Sequence, residues 1–210
     1  MAAVSGLFVA VEGPEGAGKT TLVQRLADRL RAAGREVVEV REPGGTPTAE
    51  AARGLVLDPD KDWTAPAELF LYLAARSELV ERILRPTLER GEAVVLSDRY
   101  DLSTEAYQIA GRGLPREDVL AANRLATGGL RPDLTFVLDV PPETGRQRQR
   151  AAGKTPDRME QAAAAMHERV ARAFREARGP GVVHLDGTRS AEELETDAWQ
   201  LLEARLDGTD

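Results

Sequence analysis

The chain alternates short apolar runs with longer stretches of helical period. Leu7-Phe8-Val9-Ala10-Val11 is the first run, followed by Val37 to Val40, Ala93 to Leu96, Leu134 to Val140 and Val182 to Leu185. Each is bounded by turn residues and too short for a helix, so each predicts a strand. The runs are nearly all apolar rather than alternating, as in a sheet covered on both faces. Between them, helices are expected over 19–33, 47–57, about 66–90, 102–110, 115–127, 142–152, 157–178 and 190–206. Gly34 and Gly91 stand where helix C-caps belong. Strands alternating with helices predict parallel pairing through right-handed crossovers, hence an α/β fold. No repeat, low-complexity tract or linker divides residues 1–210, so a single domain is expected.

Composition narrows the function. With 42% hydrophobic but only 4% aromatic residues, the core is built mainly from Ala, Leu and Val. A net charge of −7 argues against duplex nucleic acid or an anionic membrane as partner. It leaves room for a small polyanion in a locally basic pocket. Without Cys there is neither a disulfide framework nor thiolate chemistry. His167 and His184 lack metal-ligand spacing and are expected to be structural or solvated. The first apolar run has no basic region ahead of it and is too short for a signal peptide. Nothing approaches the ~18 consecutive apolar residues of a membrane span, so a soluble cytoplasmic protein is expected.

The chemistry is organised by Gly13-Pro14-Glu15-Gly16-Ala17-Gly18-Lys19-Thr20, which follows the first strand and opens the first helix. Strand, glycine loop, helix is the context that makes G-x-x-x-x-G-K-[ST] a phosphate-binding loop. Glycines let the loop curl so that successive N–H groups form an anion nest, and the helix adds its own unpaired N–H groups. Lys19 would reach the β- and γ-phosphates and Thr20 would offer its hydroxyl to Mg²⁺. Glu15 within the loop would be repelled by phosphates. It therefore points away, toward solvent or toward a sugar hydroxyl of a second substrate.

Ligands of such sheets sit at the carboxyl ends of the strands, where further candidates collect. Asp98 ends the third strand, placed either to help hold Mg²⁺ or to cap the next helix. Arg99 beside it suits a phosphate. Tyr72 and Arg76, four apart, share a helix face. They could stack on and hydrogen-bond a nucleobase, but spacing alone favours a core tyrosine with a surface arginine. Arg146, Arg148, Arg150, Lys154 and Arg158 surround Gly153 and Pro156. That is either a solvated basic helix or a lid over about 143–158 that delivers Arg to a phosphoryl transition state.

Together these stretches resemble the thymidylate kinases of the bacterial type. The matching pieces are Glu12-Gly13 and the loop through Thr21, Arg41-Glu42-Pro43-Gly44-Gly45-Thr46, Ala67-Glu68 through Arg76, and Asp98-Arg99-Tyr100. Ser103-Thr104-Glu105-Ala106-Tyr107-Gln108, Gly111 to Leu114, Arg131 to Thr135, Leu138-Asp139-Val140 and Asp157-Arg158-Met159-Glu160 continue the match. The resemblance implies a P-loop NTPase three-layer fold with a five-stranded parallel sheet flanked by helices. It also implies phosphorylation of dTMP to dTDP by Mg-ATP in a homodimer. Gly13, Pro14, Glu15, Gly16, Ala17, Gly18, Lys19, Thr20 and Thr21 would hold ATP, with Thr20 and Asp98 at the metal. Glu15, Tyr72, Arg76, Arg99, Ser103, Thr104, Tyr107 and Gln108 would hold dTMP. Among these, Glu15 would meet the sugar 3′-hydroxyl, Arg76 a thymine carbonyl, and Tyr107 would crowd the 2′ position. Lys19, Arg99, Arg148, Arg150 and Arg158 would carry the catalytic charge.

This chain departs from the family at several points. The stacking position, usually Phe, is Tyr72. The lid has Ala151-Ala152 and one extra residue where relatives often carry another Arg. Gly16 stands where the eukaryotic type has an Arg in the loop, so charge neutralisation should come from the lid. Two rivals remain: another nucleoside-monophosphate kinase with a different base pocket, and a non-catalytic nucleotide-binding protein.

Overall fold

The computed structural model describes residues 6–91, 93–153 and 157–206. Strands β1 (Leu7–Glu12), β2 (Glu36–Arg41), β3 (Ala93–Asp98), β4 (Leu134–Asp139) and β5 (Val182–Asp186) form one sheet in the order β2-β3-β1-β4-β5. Every pairing is parallel. All five expected strands form. Four outrun their apolar cores by a residue or two, while β4 stops one residue short of Val140. Helices α1 (Lys19–Ala32), α2 (Pro47–Leu57), α3 (Ala65–Leu79), α4 (Arg85–Glu89), α5 (Asp101–Thr104), α6 (Arg116–Thr127), α7 (Pro142–Ala151), α8 (Ala164–Glu176) and α9 (Ala191–Leu206) flank the sheet.

Alternate residues of a strand face opposite ways, and β1 uses both faces. Val9 and Val11 pack with Leu22, Leu26, Leu96, Phe136, Trp199 and Leu202 beneath α1 and α9. Phe8 and Ala10 pack with Leu79, Leu84, Val95 and Tyr100 on the other face. A further cluster joins Val137 to Tyr107, Met159, Val170 and Phe174 under α8. The two edge strands are less covered: β2 is half-buried to exposed, with Glu39 interrupting its valines, and β5 is mostly half-buried.

Three expected helices differ in the structure. The run expected over 66–90 is continuous in path, but Val80–Leu84 winds as a π-helix before α4. Pro86 explains it. Proline cannot donate to the carbonyl four residues back and its ring crowds that carbonyl, so a wider turn relieves the clash. The helix expected from 157 starts only at Ala164. Asp157 Oδ1 accepts from the N–H groups of both Met159 (2.8 Å) and Glu160 (2.9 Å), tying residues 157–160 into a turn that competes with a helix. A second π-segment, Glu105–Gly111, follows α5, and the Arg112 N–H reaches back five residues to Tyr107 O at 2.9 Å.

The register levels the carboxyl ends of the neighbouring strands β2, β3 and β1. Val11 of β1 and Arg41 of β2 both lie opposite Asp98 of β3. The segments leaving β1, β2 and β3 therefore begin side by side along one edge of the sheet.

Candidate active site

Residues 13–18 make the bend between β1 and α1, and their glycines are there for conformation. Gly13 (φ 139°), Gly16 (71°) and Gly18 (97°) hold backbone angles that L-residues avoid. Gly16 has a second constraint, because a Cβ there would lie 2.2 Å from Gly145 O of α7. An arginine of the eukaryotic kind at this position would force the backbone of α7 to move. Lys19, at the start of α1, is buried and donates to Pro14 O at 2.8 Å, folding its ammonium back over the loop. Burial, reinforced by the nearby Arg99, lowers its pKa to about 8 despite Glu15 and Asp98.

The loop opens on a cavity of about 620 Å³. Glu15, Gly16, Gly18, Lys19, Thr20, Thr21, Tyr72, Arg76, Asp98, Arg99, Ser103, Thr104, Tyr107, Gln108 and Arg148 all line it. Gly13 and Pro14 contribute carbonyls beneath it, to Arg99 Nη1 at 3.1 Å and to Lys19, and Ala17 is buried in the loop. Thr20 Oγ1 donates to Asp98 Oδ2 at 2.5 Å. A hydroxyl and a carboxylate in contact beside a phosphate nest are hard oxygen donors that suit a divalent cation. Among the described residues no group of three or more His, Cys, Asp or Glu forms a metal cage. Such a cation would therefore draw most of its ligands from phosphate and water.

Arg99 stands at φ 76°, rare for a residue other than glycine, and its neighbours hold it there. The carboxylate of Glu12 accepts from Tyr100 N (2.8 Å), Ser103 N (2.9 Å) and Ser103 Oγ (2.6 Å). Arg99 Nη2 donates to Glu15 Oε1 at 2.6 Å, and the Tyr107 hydroxyl donates to the same oxygen at 2.9 Å. Burial works to raise the Glu15 pKa, but Arg99, Lys19 and that hydroxyl lower it to about 2. Glu15 thus points to the side of the cavity lined by Ser103 and Tyr107.

Arg76 is 3% exposed, and every N–H of its guanidinium has an acceptor. Glu42 takes Nε and Nη2 at 2.5–3.0 Å, Tyr100 O takes Nη2, and Thr104 Oγ1 and Asn123 Oδ1 take Nη1 at 2.6 and 2.7 Å. A base carbonyl can receive a donor from Arg76 only by displacing one of these. Spacing pointed to a surface arginine here, and the structure buries it.

The basic stretch is split three ways. Arg148 reaches the cavity and donates to Gly187 O at 2.8 Å. Arg150 is exposed and outside the cavity. Arg158 turns inward, its Nε on Val56 O (2.8 Å) and its Nη2 on Glu68 Oε2 (2.5 Å), and does not line the cavity. Arg146 pairs with Glu143 on the surface. Lys154 and Pro156 lie outside the described residues. Gln149 hydrogen-bonds Glu160, joining α7 to the turn at the far side of the stretch.

Sequence reasoning missed Arg53, which lines the cavity and donates to Pro43 O at 2.8 Å. The signal was present, since Arg53 falls four after Ala49 and three before Val56, on the buried face of α2. Glu42 and Glu68 also gave no local signal of their roles, since their arginine partners Arg76, Arg112 and Arg158 lie 34 to 90 residues away.

A model of the thymidylate kinase family matches residues 11–198. A thymidylate kinase of Deinococcus radiodurans is 48% identical over 203 residues, covering 95% of this chain and 98% of that protein. One from Pseudomonas putida is 47% identical over 203 residues, with 95% and 96% covered. The chain belongs to the thymidylate kinase family. The kinase is thus a nucleoside-monophosphate kinase on a five-stranded parallel P-loop fold. No described helix of it is long and apolar enough to cross a membrane.

Proposed function

We propose that the chain phosphorylates dTMP to dTDP with Mg-ATP. The observation that carries the reading is one cavity with two kinds of wall. The amide nest, Lys19 and Thr20 suit a polyphosphate, while Tyr72, Arg76, Thr104 and Gln108, which line the same cavity, would make the base pocket. Lys19 and five arginines (Arg41, Arg53, Arg76, Arg99 and Arg148) border this cavity beside five carboxylates (Glu15, Glu42, Asp98, Asp157 and Glu160), so its lining is slightly cationic in a chain of net charge −7 and offers guanidinium and ammonium donors to phosphate.

Phosphoryl transfer asks for positioning and charge neutralisation. The phosphate of dTMP is itself the nucleophile, so no protein base is invoked. Arg99 orients that phosphate by exchanging its bond to Glu15 for one to a phosphate oxygen. The released Glu15 is then free for the sugar 3′-hydroxyl, beside the ring of Tyr107. Lys19 holds the β- and γ-phosphates. Arg148 is the lid arginine already at the cavity, and Arg150 would need the lid to move. Thr20 and Asp98 would hold Mg²⁺, which when bound neutralises phosphate charge. Arg158 acts through its ion pair with Glu68 rather than on the phosphates.

The protein is further proposed to act in the cytoplasm, as a homodimer. Exposed Phe70 on α3 and Leu125 on α6, 62% and 87% accessible on two packed helices, offer an apolar face for a second copy. Light scattering on Leu125→Glu tests it, with a monomer expected.

The activity is tested by a coupled assay for ADP with dTMP, dUMP, CMP, GMP and AMP. dTMP should give the highest kcat/KM. A clear preference for another monophosphate would favour a sister kinase, and ATP binding without ADP formation would favour a non-catalytic binder.

A further inference from the structure

Glu68 lies behind the base pocket, its side chain fully buried on α3, one turn from Tyr72 and two from Arg76. Four donors meet its carboxylate. Oε1 accepts from Arg112 Nε (3.0 Å) and Gln108 Nε2 (3.2 Å), while Oε2 accepts from Arg112 Nη2 (2.7 Å) and Arg158 Nη2 (2.5 Å). An ionised carboxylate offers about four acceptor sites and no donor, so this one is saturated. Burial opposes its charge, but the hydrogen bonds and charges of Arg112 and Arg158 outweigh burial and hold its pKa below the ordinary value.

Gln108 is the neutral member of that set. It is 2% exposed and lines the cavity. A primary amide has a donating end and an accepting end, and which faces outward is fixed by what the inner end meets. The inner neighbour here can only accept. The NH₂ must therefore face Glu68, and the carbonyl oxygen is left to the cavity.

We infer that Glu68 is a positioning residue that sets base specificity by locking the Gln108 amide with its carbonyl toward the base, where it accepts the N3–H of a thymine-type ring. Cytosine has a lone pair at N3, so it would set acceptor against acceptor. A buried polar site that meets a mismatched edge discriminates strongly, because its own group is left unpaired. The selection is made by an anion that never touches the substrate. The same carboxylate seats Arg158, so the root of the lid and the base reader share one anchor.

This inference rests on the base-pocket reading above, and the test separates the two. The kcat/KM values for dTMP and dCMP are measured on the wild-type chain and on Glu68→Gln, with melting temperatures recorded for both. Gln at 68 can donate or accept, so the Gln108 amide is freed to turn. The dTMP/dCMP ratio should then fall about tenfold or more. Most of that change should appear in KM, since base recognition is made in the ground state as well as the transition state. Glu68→Gln should leave the ratio unchanged in a Gln108→Leu background, because the reader is gone. A folded Glu68→Gln that keeps the wild-type ratio overturns the inference. A wild-type chain with no preference for dTMP overturns the base-pocket reading instead.

Where the variant does not fold, the wild-type chain decides by NMR. The Gln108 side-chain NH₂ signals, assigned by their loss in Gln108→Leu, should stay protected and nearly unshifted as dTMP binds. Large shifts with rapid solvent exchange would mean that the amide turns its nitrogen to the base, and the inference would fail.

Discussion

Glu12 is a carboxylate with no exposed surface, placed at the end of β1 under the Arg99 loop. Its three hydrogen bonds and the nearby Arg99 favour the charge, yet burial dominates and raises its pKa from 4.5 to about 7. The unfolded chain therefore loses this proton near pH 4.5 and the folded chain near pH 7. Between those values the folded state binds more protons, so stability falls as pH rises and levels off above 7. The gap between 4.5 and about 7, at about 1.4 kcal/mol per pH unit, is worth about 3 kcal/mol. Glu12→Gln mimics the protonated form and lacks this burden. Urea unfolding can be followed through buried Trp199 at pH 4.5, 5.5, 6.5 and 7.5 and at fixed ionic strength. The stability of the variant minus that of wild type should rise by about 3 kcal/mol across the series. Taking the difference removes the other groups that titrate in both proteins. Parallel curves would show that the buried Glu12 carries no such cost, and the account of how the Arg99 turn is held would be wrong.

Other parts of the site make separate predictions. Arg148→Ala should lower kcat by about 10³-fold with a much smaller change in KM for dTMP, as for an arginine acting on the transition state. Arg150→Ala, altering an exposed residue outside the cavity, should leave kcat within about threefold; the reverse ranking in steady-state kinetics would assign the role to Arg150. Lys19, with a pKa of about 8, should take up about half a proton when ATP binds at pH 8. Calorimetry in buffers of different ionisation enthalpy reads that uptake directly, and a heat independent of buffer would refute it. Tyr107→Ala should narrow the preference for dTMP over its 2′-hydroxyl counterpart, whereas Tyr107→Phe should keep it, since only the ring blocks that position. Gly145→Ala would place a Cβ 2.2 Å from Glu15 O, and overpacking of that kind costs about 1–3 kcal/mol. A lower melting temperature and a raised KM for ATP are expected, and an unchanged pair would deny that α7 braces the phosphate loop.

What the sequence revealed follows from where each signal is stored. The inner strands were legible because both their faces are buried, which demands unbroken apolar runs such as Phe8-Val9-Ala10-Val11. The phosphate loop was legible because its backbone angles exclude side chains, leaving glycine in the text itself. The π-segment at Val80–Leu84 was foreshadowed by Pro86 but lost within a strong helical period. The turn at Asp157 was hidden because one side chain outcompetes local helix propensity.

The buried charges were the least legible part, and the reason is physical. A glutamate in a helix or loop is expected in water unless a partner pays for its desolvation, and here the partners are distant in sequence. Glu42 meets Arg76 across 34 residues, and Glu68 meets Arg158 across 90. Four-residue spacing could therefore place Tyr72 and Arg76 on one face but could not say that Arg76 is buried, because burial depends on Glu42 and Tyr100 arriving from β2 and β3. The same reasoning ranks the arginines. Arg76, committed to Glu42, forms part of the cavity wall, while Arg112 and Arg158, committed to Glu68, brace it from behind without lining it. Arg99, whose carboxylate partner Glu15 itself faces the cavity, and Arg148, held by a single carbonyl, have bonds that a bound phosphate can take over.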